Sequence, residues 1–160
     1  MLLRETLLLR LIGVGKIPFL FALRPRVLRL DDDVCEVLTK LSYLTRNHVG
    51  SMYFGALAAG ADCAGGLHAA RTIFGLGGPP YRDVVPIFKS LHADFHKLAD
   101  GDVLFRCEDG RAVTTAVARA DETGERITLP VRVIATVPAK YGDTPVATFT
   151  LELSVKKKRS

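Results

Sequence analysis

Hydrophobic and polar positions alternate along the C-terminal stretch "PVATFTLELSV". Ala147, Phe149, Leu151, Leu153 and Val155 fall on one side, and Thr148, Thr150, Glu152 and Ser154 on the other, which predicts a half-buried strand. "RITLPVRVIATV" predicts a second strand before it. Two short strands are predicted around the acidic turn Asp31–Asp33, where Cys35, Val37, Thr39 and Leu41 alternate with Glu36, Leu38 and Lys40. Residues 84–97 read as a long strand with Pro86 near its start, after which "ADGD" turns and "VLFRCE" returns. The pattern changes period in "RAVTTAVARADE", where Val113, Ala116, Val117 and Ala120 lie at helical spacing. It changes again over 51–70, a run of small and apolar residues that predicts a central helix with Ser51 as N-cap and "GLGGPPY" as its stop.

The predicted order is an N-terminal helix, two strands, the central helix, then four strands with a small helix among them. This is an α+β chain with an antiparallel sheet. Gly55, Gly60, Gly65 and Gly66 lie inside the central helix. Each costs about 0.8–1 kcal/mol relative to Ala. Close backbone approach explains such a cost, and a sheet wrapped tightly around the helix would require it. No repeat or low-complexity linker divides the 160 residues, so the chain reads as one domain, 1–160.

Charge changes this picture at the ends. Residues 1–30 carry Arg4, Arg10, Lys16, Arg24, Arg26 and Arg29 against Glu5, a net +5, and Lys156, Lys157, Lys158 and Arg159 add +4 in the segment 156–160. The whole chain is +5, so the remainder is −4. Basic ends suit nucleic acid, an anionic membrane, a phosphorylated ligand or plain solubility. No aromatic residues interleave with the C-terminal cations, which argues against nucleic acid as a partner. Within residues 1–23, the apolar run Leu7–Leu23 is interrupted by Arg10, Lys16 and Pro18. A bilayer span needs about 20 apolar residues. The segment reads as an amphipathic helical cover on the domain, with no stable membrane span and no small-x-small cleavage site, and a peripheral membrane contact stays open. Cys35, Cys63 and Cys107 are odd in number and lack zinc-site spacing, so they read as reduced core residues of a cytoplasmic protein.

Candidate chemistry centres on Asp62, a carboxylate inside the most apolar helix. An acid there is either paired for structure or held for chemistry. His92, Asp94 and His96 share one face of a strand, but no fourth ligand accompanies them. They read as a solvated or interface face, and no metal is assigned. Neither a Gly-x-Ser-x-Gly elbow nor a Gly-Lys-Ser/Thr phosphate loop is present.

The spacing Asn47-x-x-Gly50-x-x-Tyr53-Phe54-Gly55, followed by Asp62, resembles the PaaI-like acyl-CoA thioesterases. Their pattern is Asn-x-x-Gly-x-x-His-Gly-Gly, with an acid seven residues after the last Gly. "LHADFHKLADGD" is similar to the strand that follows their helix, and the likeness spans residues 24–156. Tyr53 and Phe54 stand where that family has His and Gly. The spelling "NHVGSMYFGALAAGAD" looks most similar to an uncharacterised, domain-of-unknown-function branch.

The resemblance implies a hot-dog fold, an antiparallel sheet wrapped around one long central helix, here with an extra N-terminal helix. It implies hydrolysis of an acyl-CoA or related thioester at a dimer-interface site. The protein would be a homodimer, or a tetramer built as a dimer of dimers. No cofactor is implied, since CoA is part of the substrate, and no metal. In this scheme Asp62 is general base or nucleophile, Phe54 or Gly55 donates N–H to the oxyanion, Asn47 orients water or the base, and Gly50 and Tyr53 contact substrate. The basic residues 156–159 are candidates for the CoA phosphates. A non-catalytic acyl-CoA- or lipid-binding module is the alternative, favoured by Tyr53 and Phe54.

Overall fold

A computed structural model describes residues 2–15, 17–76, 78 and 80–158. The chain begins with α1 (Leu3–Gly15) and α2 (Pro18–Leu23), separated at Pro18, whose ring is tolerated at the first helical position but not in a helix interior. β1 (Arg26–Leu30) and β2 (Cys35–Thr39) follow around the acidic turn, where Asp31 Oδ1 accepts the N–H groups of Asp33 (3.0 Å) and Val34 (2.8 Å). Those bonds, with Arg29 beside it, hold the Asp31 carboxyl down to about 2. The central helix α3 (Phe54–Ile73) leads to β3 (Val84–Phe95) and β4 (Val103–Cys107). Then come α4 (Gly110–Thr123), β5 (Ile127–Thr136), the short α5 (Pro138–Tyr141) and β6 (Pro145–Lys157).

All six strands form one antiparallel sheet in the order β1-β2-β4-β5-β6-β3. α3 packs against β2, β3, β4, β5 and β6, so the sheet curls around it. This is the hot-dog arrangement. The α3 glycines show why it can form. A Cβ on Gly60 would lie 2.3 Å from ring carbons of Phe105, and one on Gly65 would lie 3.2 Å from Val131 Cγ1. The helix backbone therefore rests directly on β4 and β5 side chains. α4 buries Val113, Ala116, Val117 and Ala120, the four residues its spacing singles out. The buried face of β6 holds Ala147, Phe149, Leu151, Leu153 and Val155, as its alternation requires. Ser154 is also buried and accepts a hydrogen bond from Arg126 at 2.8 Å.

Three expectations need correction. β4 does not return beside β3. It lies between β2 and β5, with Val103, Phe105 and Cys107 fully buried, while the intervening segment crosses from the sheet edge to its middle. That crossing is tied down by Met52 N–H to Ala99 O (2.8 Å) and Leu41 N–H to Asp102 Oδ1 (3.0 Å). Second, α3 starts at Phe54, with Tyr53 rather than Ser51 in the N-cap position. Third, the basic C-terminus is not all tail. Lys156 and Lys157 belong to β6, and Lys157 Nζ lies 2.9 Å from an Asp121 carboxylate oxygen. Arg159 and Ser160 lie outside the described residues. Cys35, Cys63 and Cys107 are free and buried, and burial raises all three thiol pKa values, Cys107 to about 11.

Candidate active site

The loop before α3 is organised by Asn47. Its Oδ1 accepts the N–H groups of Val49 (3.0 Å) and Ser51 (3.1 Å), and its Nδ2 donates to Ser51 Oγ (2.9 Å). The Asn47 N–H donates to Ser51 O at 2.7 Å. This side chain closes a turn, the role Asn performs best in such loops. Gly50 completes it at φ 84°, a left-handed conformation open to glycine. Ser51 is consumed by these bonds, which is why it does not cap α3. Thr45 buttresses the segment: its Oγ1 donates to Lys40 O and accepts the Ser42 N–H, both at 2.8 Å, while its carbonyl accepts the Tyr53 N–H at 2.7 Å.

The first turn of α3 carries the candidate donors. Tyr53 O accepts the N–H groups of Ala56 (2.9 Å) and Leu57 (3.0 Å). The N–H groups of Phe54 and Gly55 have no acceptor among the described residues, as the first positions of a helix should. With the positive end of the helix dipole behind them, they suit an oxyanion. The Tyr53 ring lies over Gly55, where an added Cβ would sit 2.6 Å from Tyr53 Cε1. The Tyr53 and Phe54 rings meet at a tilt of 52° with centroids 4.6 Å apart and remain 46% and 61% exposed. The segment thus presents two aromatic faces beside two free amides.

Asp62 lies two turns further along α3, on a half-open stripe with Gly55, Ala58, Ala59 and Gly66. The opposite face of α3 is buried against the sheet. No hydrogen bond or ion pair reaches the Asp62 carboxylate among the described residues, and burial alone raises its pKa above the ordinary 3.8. Among the described residues, no structural partner holds the Asp62 carboxylate. Asp62 is eight residues beyond Phe54, about 12 Å along one helix. One reacting carbon cannot lie about 3 Å from both groups of the same helix.

β3 borders the open stripe, with Phe88 over Gly65 and Gly66. β3 pairs only with β6, so its other edge is free among the described residues. Its register sets Leu91, Ala93 and Phe95 opposite Leu151, Phe149 and Ala147, on the helix side of the sheet. Yet Leu91 and Phe95 are 43% and 54% exposed. This half-covered seam, with Asp62 in it, was missed in the sequence, although the alternation of Leu91, Ala93 and Phe95 carries its signal. His92, Asp94 and His96 point to the opposite face. His92 and Asp94 are exposed, and His96 Nε2 is 3.0 Å from Thr148 Oγ1. His48 is an exposed loop residue. A second missed residue is His68, buried on α3 against Gly110, with Nε2 lacking a partner among the described residues and its pKa lowered by burial.

A helix wrapped by a six-stranded antiparallel sheet defines the class, the hot-dog proteins. The solved structures that resemble the chain are of this kind. One, from Pseudomonas aeruginosa, is a protein of unknown function described as a probable thioesterase; it is 23% identical, with a TM-score of 0.73 and 96% of each chain covered. A thioesterase from Haemophilus influenzae is 14% identical with a TM-score of 0.64, covering 94% of this chain and 88% of its own. A mutant thioesterase from Pseudomonas aeruginosa is 16% identical with a TM-score of 0.67, covering 96% and 94%. A comparison with curated proteins finds no match. Within this class the chain belongs to the DUF4442 family, a domain of unknown function, which matches residues 6–155.

Proposed function

We propose that the protein hydrolyses an acyl-CoA or related acyl thioester at two equivalent sites across a two-fold dimer. The observation that carries this reading is the unpaired, desolvated Asp62 in the half-covered seam between α3 and β3. A second copy laid on the seam would cover Leu91 and Phe95 and bring its own free Phe54 and Gly55 amides toward Asp62, which one helix alone cannot do. In the reaction, Asp62 takes a proton from water as the water oxygen bonds to the acyl carbon. The amides hold the resulting oxyanion. The C–S bond then breaks, and the thiolate leaves with a proton, giving a carboxylic acid and a free thiol. A raised carboxyl pKa strengthens Asp62 as a base. Asn47, Gly50 and Thr45 position the amides by fixing the loop, and Tyr53 and Phe54 narrow the acyl end of the site. No metal or cofactor takes part in this scheme.

A second reading is a non-catalytic acyl-binding module. The paired Tyr53 and Phe54 rings favour it, because they crowd the helix start where the similar enzymes have His and Gly. Purified protein assayed against short- to long-chain acyl-CoAs, beside Asp62→Asn, separates the two. Thiol release by the wild type that falls at least about a hundredfold in the variant supports hydrolysis. Intact acyl-CoA retained by a folded dimer supports the binding module.

A further inference from the structure

We propose that a pocket between the N-terminal helix pair and the β2–α3 connection docks the protein on the phosphate headgroups of an anionic lipid surface. The pocket encloses about 770 Å³ and is lined by four cations, Arg10, Arg24, Arg26 and Lys40, with no carboxylate among the described lining residues. Elsewhere Arg29, Arg71, Arg106 and Arg111 each meet an acid. Among the described residues, none of the four pocket cations forms an ion pair or a side-chain hydrogen bond. Arg10 lines the cavity together with Arg24, Arg26 and Lys40. Guanidinium and ammonium groups gathered without a carboxylate suit phosphate oxygens as acceptors. Four like charges around one cavity also repel one another, and a bound anion would relieve that repulsion.

The rim distinguishes a lipid surface from a soluble phosphate. Phe21, Tyr43 and Leu44 line the same pocket, yet are 47%, 81% and 67% exposed. On α1, Leu3 and Leu7 lie seven and three residues before Arg10, on a shared helix face, and both are exposed. Phe19 on α2 is exposed as well. A free phosphate requires none of these apolar groups in water. A headgroup in the pocket would place them at the level of the acyl chains, with the cations at the phosphates. No helix among the described residues is long and apolar enough to cross a membrane, so the contact is peripheral. This inference stands apart from the thioesterase reading, because the pocket contains neither Asp62 nor the Phe54 and Gly55 amides.

The test is co-sedimentation of the full chain with vesicles of phosphatidylcholine alone and of phosphatidylcholine mixed with phosphatidylglycerol. The expected result is pelleting with the mixed vesicles that weakens as salt is raised, and little with phosphatidylcholine. Arg24→Gln combined with Lys40→Gln, both exposed and so expected to fold, should lower partitioning about thirtyfold, roughly fivefold per cation. Phe21→Ser should lower it too, without changing the salt dependence. Equal pelleting with both vesicle types, salt-insensitive pelleting of the wild type, or unchanged partitioning of the charge variant would overturn the proposal. So would calorimetric binding of pyrophosphate or free CoA, lost in the charge variant, by a protein that ignores both kinds of vesicle. That result would assign the pocket to a soluble phosphate ester.

Discussion

Asp62 sets a cost in stability against a use in chemistry. Its folded-state pKa is raised above 3.8 by burial, so its contribution to stability is present at low pH and is lost as pH rises through the folded value. Asp62→Asn removes the desolvated charge while keeping the shape. The variant should melt higher than the wild type at neutral pH, by roughly 2–4 °C per kcal/mol gained, and the difference should vanish toward acid pH. The same variant should lose thioester hydrolysis. A lower melting temperature at neutral pH would mean that the carboxylate is paired for structure. Gly60 shows the opposite balance. Gly60→Ala gains about 1 kcal/mol of helix propensity, but places a methyl 2.3 Å from the carbons of Phe105, which is itself fully buried. Overpacking of that kind costs about 1–3 kcal/mol, so packing outweighs propensity and the unfolding midpoint should fall. An unchanged or higher midpoint would show that α3 stands off β4 by at least a methyl group. The Gly-rich run was legible as close packing because glycine inside a helix weakens it unless a neighbour fills the space a Cβ would take.

The elements were legible wherever one period dominated the pattern. β5 and α4 each bury one clean face that their spacing alone exposes, and β6 does so except at Val146 and Ser154, which are buried on its other side. The start of α3 was misplaced because Ser51 has the chemistry of a cap, while Asn47 takes both its N–H and its hydroxyl into the preceding turn. A competing local bond decides that boundary, and composition does not reveal it. The turn itself yields a test. Gly50 has a φ of 84° and open space around its α-carbon, so Gly50→Ala should cost about 1–2 kcal/mol from backbone strain alone. Gly50→Asn should cost less, since Asn tolerates the left-handed region. Equal losses in denaturant midpoint for the two variants would point to a cause other than backbone conformation.

At the scale of the molecule, sequence pattern gives strands but not their neighbours. The β3–β6 pair joins segments some 60 residues apart, and β4 reaches its place by crossing the sheet, neither of which a local alternation encodes. The candidate site was legible in part: the resemblance brought out Asp62, Asn47 and Gly50, whereas the exposed helix-side row of β3 emerged only from the register. That row is the part of the proposal that a second copy must cover. Leu91→Glu would place a charge in the proposed interface, and sedimentation velocity should then show monomers where the wild type gives dimers. A wild-type protein that sediments as a monomer at assay concentrations, yet hydrolyses thioesters, would remove the two-subunit site.

Composite sites can be tested by mixing two inactive parents. Asp62→Asn lacks the base. Phe54→Pro lacks one oxyanion amide at the helix position where proline is best tolerated, and Tyr53 at φ −62° and ψ 139° already has the backbone that a following proline requires. Each variant alone should be inactive. After the two are unfolded together and refolded, half of the dimers should be mixed, and each mixed dimer should hold one site with both groups intact. Thiol release should return to about a quarter of the wild-type rate. A mixture of folded dimers as inactive as its parents would contradict a site shared between two subunits.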